Sequence, residues 1–162
     1  MTSHECQPHF LIGDRAIGRG EPVLIIAEAG VAHFGSMDLA CQLVDLAAEG
    51  GADVFKTQLF DVENLISREA QEWRKRLGSR NLTLAQFHEL KERCDRAGLI
   101  FMATAHDSSR ISWLEDLKVP AIKIGSGERN NLGFFTELAA LGKPMIISTG
   151  MYGNKDISEL LQ

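Results

Sequence analysis

Cysteine is scarce in this sequence: three residues in 162, far apart at Cys6, Cys41 and Cys94. No C-x-x-C pair occurs, so neither a zinc knuckle nor a disulfide framework is indicated, and free thiols in a reducing cytoplasm are expected. Aromatic residues make up 7% of the chain, and basic residues are scattered within a net charge of −5. Stacking platforms and a broad positive footprint are both missing, which argues against nucleic acid as a partner. No apolar run approaches the ~20 residues that span a bilayer. The opening "MTSHECQPHF" lacks a basic region followed by an apolar one, so no signal peptide and no membrane partner are expected. What remains is a chain of ordinary composition, 44% hydrophobic, long enough for one well-buried core and expected in the cytoplasm.

The order of apolar and polar segments is informative. Residues 9–22 read as a short β-hairpin, with apolar residues around Gly13-Asp14 and Gly18 to Gly20. Short apolar runs follow at "VLIIAEAG" (23–30), "ADVFKTQ" (52–58), "LIFMATA" (99–105), "AIKIGSG" (121–127) and "PMIISTG" (144–150), each fit for a strand covered on both faces. Helical segments alternate with them. "MDLACQLVDLAAEGG" predicts a buried stripe of Leu39, Leu43, Leu46 and Ala47 that stops at Gly50-Gly51. "TLAQFHELKERCDRAG" opens with a capping-box pair, Thr83 and Gln86, while Asp107 and Asn131 are caps for the next two helices. "NKDISELLQ" begins a further helix. Trp73 and Trp113 are expected to pack, although the polar span "SREAQEWRKRLGSR" around Trp73 reads as a surface excursion or lid.

Such alternation implies a parallel sheet with right-handed crossovers. Length favours an open doubly wound sheet, because (β/α)8 barrels take ~250 residues. The polar residues favour the barrel. Each strand begins apolar and ends in hydrogen-bonding groups: Glu28; Lys56 and Gln58; Thr104, then His106 and Asp107; Lys123, Ser126 and Glu128; Ser148. Alternation places Lys56 and Gln58 on one face. Polar ends on five successive strands make the layout of a barrel rim, whereas an open sheet would concentrate its site at one switch point. Any one of these residues has a bland explanation, as an edge lysine, a helix cap or a solvated glutamate. Their recurrence on one rim points to a cage for a small dianion: lysine and hydroxyl donors, with Glu28 and Glu128 balancing Lys56 and Lys123. His33 and His106 follow strand ends and are candidates for substrate or metal contact, while His4, His9 and His88 are expected to be inert.

The motifs AE-x-G-x-x-H-x-G (from Ala27), K-x-Q (from Lys56), K-I-x-S-G-E (from Lys123) and KP-x-x-x-STGM (from Lys143), in that order, resemble the sialic acid synthase family of N-acetylneuraminate and related nonulosonate synthases. The resemblance runs from the hairpin to Met151. It implies a TIM barrel that condenses phosphoenolpyruvate with an N-acylated amino sugar such as N-acetylmannosamine, giving a nine-carbon 2-keto sugar acid and phosphate. Lys56, Gln58, Thr104, Lys123, Ser126 and Ser148 would hold phosphoenolpyruvate. Glu28 would lie near the sugar aldehyde, and Glu128 near the reacting carbons and the attacking water. A divalent metal, Mn²⁺ or Mg²⁺, would polarise the aldehyde, and the full-length enzyme would be a homodimer.

Two positions depart from the family pattern. Ala32 stands where an asparagine is usual, and "TAHD" replaces T-P-F-D, so that His106 occupies an aromatic position. The family's later strands carry its paired metal histidines and lead to a small antifreeze-like domain. Residues 1–162 are therefore expected to be the amino-terminal part of the barrel: the hairpin, then about five βα units over 23–162, with the metal ligands elsewhere and the fragment inactive alone. Two alternatives stay open: a Schiff-base aldolase using Lys123 or Lys56, and a non-catalytic half-barrel that binds phosphorylated metabolites.

Overall fold

The computed structural model describes residues 9–160. Cys6 and His4, discussed above, lie outside the described residues. The chain opens with β1 (His9–Ile12) and β2 (Arg15–Gly18), an antiparallel hairpin. Its two-residue turn starts at Gly13, whose φ of +63° is the left-handed conformation that glycine adopts without penalty. Strand–helix units follow: β3 (Ile26–Gly30), α1 (Met37–Glu49), β4 (Val54–Leu59), α2 (Val62–Leu65), α3 (Gln71–Gly78), α4 (Leu84–Arg96), β5 (Ile100–Ala105), α5 (Ile111–Asp116), β6 (Ile122–Ile124), α6 (Leu132–Ala139), β7 (Met145–Ile147) and α7 (Asn154–Leu160). These are about the first five βα units of a (β/α)8 barrel.

All pairings among β3 to β7 are parallel, β3–β4–β5 in one ladder and β6–β7 in another. β5 and β6 lie side by side without ladder bonds, β6 being three residues long.

The two faces of this sheet have different cores. Outward-facing Phe55, Leu59, Phe101, Ala103, Ile122 and Ile124 pack with the helices. Inward-facing Val54, Met102 and Ala121 form a second cluster with Ile12 of the hairpin, flanked by Ile26, Ile100 and Ile146. The hairpin thus plugs the amino-terminal end of the interior. An Arg15–Asp53 ion pair fastens it there, and Asp53 also accepts from the Ile25 N–H at 2.7 Å.

Helix caps fall where the sequence places them. Thr83 and Gln86 make the full capping box of α4, Asn131 accepts from the Phe134 N–H at the start of α6, and Asp107 caps the short 3₁₀ turn that leads into α5. The α1 stripe does so only in part: Ala47 is buried and Leu43 packs partly buried against the core, as expected. Ala40, Val44 and Ala47 are the buried residues, whereas Leu39 and Leu46 are exposed, Leu46 by 61%. The correction has a steric reason: small side chains let the helix axis approach the sheet, and the leucines flank the contact. Trp113 packs edge-on against Phe87, but Trp73 is 58% exposed, with Arg76 over its ring. Its helix α3 buries no residue, as expected of a surface excursion.

Candidate functional site

Strand register builds the site. Glu28 pairs with Lys56, Lys56 with Met102, and Gln58 with Thr104, so these residues share the inward face. On β6 and β7, Lys123 pairs with Ile146, and Ser148 follows Ile147 on the side of Ile146. The interior is therefore apolar at its amino end (Val54, Ile100, Ala121) and polar at its carboxyl end. Such a gradient lets a sheet keep a packed floor and still present ionic groups at its rim.

Lys56 is 8% exposed, a position that requires a partner for its ammonium group. It is ion-paired with Glu28 and donates from Nζ to Thr104 Oγ1 at 3.3 Å. Lys123 is held differently. Its Nζ donates to Ser148 Oγ at 2.8 Å and to the Ile124 carbonyl at 2.6 Å. Burial, and then the nearby Lys56 ammonium, press its pKa below the ordinary lysine value, while Glu28 opposes the shift. The expected Glu128–Lys123 pair is not formed: Glu128 accepts from Asn131 Nδ2 at 2.9 Å instead. The cap residue of α6 thus holds that carboxylate at the turn after β6.

Gly30 and Gly150 lie directly against these groups. A β-carbon at Gly30 would lie 3.4 Å from both Gln58 Nε2 and Glu28 Oε1, and one at Gly150 would lie 3.7 Å from Ser126 Oγ. Glu28, Lys56, Gln58, Thr104, Lys123, Ser126, Glu128 and Ser148 all occupy the carboxyl ends of β3 to β7 or the turns just after them.

The two histidines part company. His33 is 1% exposed in the turn after β3, and its Nδ1 accepts from the Gly35 N–H at 3.1 Å. Burial, and then Arg80, lower its pKa. It braces its own loop through the Gly35 bond. Arg80 also lies 4.5 Å over the Phe34 ring, and the Ser79 carbonyl abuts Gly35, so the excursion between β4 and α4 is docked on this loop. His106 belongs to the rim. Burial lowers its pKa foremost; Glu128 opposes this, Lys56 adds to it, and Asp107 and Glu28 oppose it further.

Among the described residues no group of three or more His, Cys, Asp or Glu is arranged to hold a metal ion. With Nδ1 of His33 already accepting from Gly35 and His106 on another loop, the residues present do not fit a divalent-cation centre. Sequence reasoning also passed over Arg129, which donates to the Met151 carbonyl at 3.1 Å and to Asp156 at 2.9 Å. It lines a cavity of about 360 Å³ with Leu132, Tyr152 and Asp156, beside the rim. Its one sequence signal is its place directly after the GSGE turn.

Residues 43–162 match the NeuB family. The chain belongs to that family. Human N-acetylneuraminate-9-phosphate synthase is 34% identical over 160 residues, spanning 91% of this chain and 45% of the relative. The N,N'-diacetyllegionaminic acid synthase of Campylobacter jejuni is 35% identical over 151 residues, 85% of this chain and 45% of the relative. Among solved structures, the sialic acid synthetase of Leptospira borgpetersenii in complex with citrate superposes with a TM-score of 0.88 at 29% identity, covering 96% of this chain and 54% of that one. This NeuB-family chain thus spans about half the length of the relatives it matches, and the half it spans carries the rim just described. Among its described residues, no helix is long and apolar enough to cross a membrane.

Proposed function

We propose that the chain forms the phosphoenolpyruvate-holding wall of a nonulosonate synthase active site, in a cytoplasmic enzyme that is a homodimer at full length. The reaction joins phosphoenolpyruvate to an N-acylated amino sugar resembling N-acetylmannosamine and releases phosphate. The observation that carries this reading is the convergence of Lys56 and Lys123, with the Thr104 and Ser148 hydroxyls bonded to them, on the polar end of one interior. Family members named as sialic acid and legionaminic acid synthases support the class of product.

In this reading Lys56, Gln58, Thr104, Lys123, Ser126 and Ser148 bind the phosphate and carboxylate oxygens. A new C–C bond forms from the enol carbon to the sugar aldehyde carbon as the C=O π pair moves to oxygen, which takes a proton from solvent. Water adds to the cationic C2, losing a proton to Glu128 in this reading. Cleavage of the C2–O bond then leaves the 2-keto acid and phosphate, whose charge the two ammonium groups stabilise. Glu28, held against Lys56, orients the aldehyde end. The divalent cation that the family resemblance implies would supply Lewis acidity to that aldehyde. Its ligands would lie outside the described residues.

Because the chain spans about half of its relatives, binding and turnover should separate. Calorimetric titration with phosphoenolpyruvate should show binding by the 162-residue chain. A phosphate-release assay with N-acetylmannosamine and Mn²⁺ should show no turnover. Absence of binding at low ionic strength refutes the proposed wall, and measurable turnover refutes the need for further strands.

A second reading has one observation in its favour. Lys123 is partly buried, pressed toward its neutral form, and not in contact with a carboxylate among the described residues, as a Schiff-base lysine would be. Borohydride trapping with pyruvate separates the two, since the synthase route forms no imine.

A further inference from the structure

His106 extends β5 by one residue. Its N–H donates to the Leu59 carbonyl at 2.9 Å, so the alternation of Met102 and Thr104 carries the His106 side chain to the inward face, one step above Thr104. Its Nε2 is buried and has no hydrogen-bond partner among the described residues. Such a group is costly to leave unpaired, and in a native structure it calls for an explanation.

The charged groups around the ring come from every side of the rim: Glu28 on β3, Lys56 on β4, Asp107 on its own loop and Glu128 after β6. Each is already engaged. Glu28 and Lys56 hold each other, and Lys56 also holds Thr104. Asp107 accepts from the backbone N–H groups of Asp61 and Ser109, at 2.7 and 3.0 Å. Glu128 accepts from Asn131. The ring nitrogen is what the rim leaves over, between the Lys56 half and the Glu128 half. His33 also has an unpartnered Nε2, but its Nδ1 is taken by the Gly35 N–H and the charge that bears on it is Arg80 rather than the rim groups.

We propose that His106 Nε2–H donates a hydrogen bond to an anionic oxygen of the phosphorylated enol carboxylate bound by Lys56 and Lys123, making His106 a ligand-contacting residue of this site. The proposal rests on the phosphoenolpyruvate reading above. Burial keeps the ring neutral near pH 7, and a neutral imidazole carries one N–H, the donor required here.

Titrating the 162-residue chain with phosphoenolpyruvate tests the idea, using the wild type, His106→Phe and His106→Gln. His106→Phe should bind about tenfold or more weakly, the loss of one hydrogen bond to a charged group. His106→Gln, whose amide can stand in for the ring N–H, should bind within about threefold of wild type on the same grounds. Without ligand, His106→Phe should unfold at the same temperature as wild type or higher, because it removes an unpaired buried nitrogen; a merely structural histidine would lower it. The ¹⁵N resonance of Nε2 in the wild type should move on saturation with phosphoenolpyruvate. If wild type binds and His106→Phe binds equally well, His106 is not a contact and the lysine cage stands. If wild type does not bind, the cage reading fails and His106 falls with it. Should His106→Phe not fold, an Nε2 resonance unmoved at saturation overturns the proposal.

Discussion

Replacing Lys56 by methionine separates what the lysine does for the fold from what it does for a ligand. The Lys56 side chain is 10% exposed, whereas that of its partner Glu28 is 45% exposed. Removing the lysine therefore strands no charge, because Glu28 can rehydrate, and Lys56→Met should change the unfolding free energy by no more than about 1 kcal/mol in either direction. Glu28→Gln does the reverse. It leaves a buried ammonium with the Thr104 hydroxyl at 3.3 Å as its main partner. Breaking a fully buried pair in this way costs about 3–5 kcal/mol. The exposure of Glu28 reduces that to about 1–2 kcal/mol, or about 2–8 °C in Tm for a chain of this size. Binding should rank the variants in the opposite order. Loss of one charge-assisted contact is worth about 1.5–3 kcal/mol, so Lys56→Met should raise the Kd for phosphoenolpyruvate by about 10- to 150-fold. Thermal unfolding and calorimetry read the two effects independently. If Lys56→Met melts well below Glu28→Gln and still binds phosphoenolpyruvate like wild type, the lysine is a structural element and the wall is misassigned.

Three further outcomes follow from the same geometry. Since the pKa of Lys123 is pressed below the ordinary 10.5, its charge is lost earlier on alkalinisation, and phosphoenolpyruvate affinity should fall as pH rises through that lowered value; titrations between pH 7 and 10 should show the fall in wild type and a flatter profile in Lys123→Met. For His33 the folded value lies below the unfolded 6.5, so its contribution to stability is complete above pH 6.5 and is lost as pH falls toward the folded value, by at most about 1.4 kcal/mol per pH unit; urea unfolding at pH 7.5 and 5.5 should show a smaller difference in His33→Asn, and an unchanged difference refutes the assignment. Gly35 has φ +81° and its β-carbon would collide with the Ser79 carbonyl; Gly35→Ala should cost about 1–2 kcal/mol for the left-handed backbone alone and undock the excursion, and a wild-type Tm would show that the excursion does not rest there.

Much of this architecture is legible in the sequence because each signal is local. Strand alternation put Lys56 with Gln58, and Thr83, Asp107 and Asn131 are caps whose chemistry acts within three residues. The phase of α1 was not legible. Ala40, Val44 and Ala47 repeat with the same spacing as Leu39, Leu43 and Leu46, one residue out of step, and periodicity alone does not choose between adjacent stripes. Partner choice at the rim was also hidden. That Glu28 takes Lys56 follows from register, but that Asn131 takes Glu128 away from Lys123 depends on how the turn after β6 folds back on α6. Likewise, His33 and His106 look equivalent as residues that follow strand ends. They are distinguished by the Gly35 N–H, which claims one ring, and by the rim charges that surround the other.

Charge balance gives a final test of the wall. At pH 7 phosphoenolpyruvate carries a carboxylate and a phosphate of about −1.5 to −2. Against it the rim sets Lys56 and Lys123, with Glu28 and Glu128 at the same rim, so the formal charges of these four side chains sum to zero, although Glu28 alone is paired with a lysine. Glu28 is committed to Lys56, so among the described residues Lys123 is the rim cation without a carboxylate contact. Burying the ligand's remaining charge unpaired would be prohibitive. The balance must come from backbone N–H groups of the turns after β6 and β7 and from groups outside the described rim. A ligand held by this chain alone would therefore stay partly hydrated at an open rim, where its attraction to the lysines would be screened by salt. Raising ionic strength from about 10 to about 150 mM shortens the screening length from about 30 to about 8 Å, and the Kd for phosphoenolpyruvate should rise severalfold. An affinity indifferent to salt would mean that hydrogen bonds, not the two lysines, hold the anion.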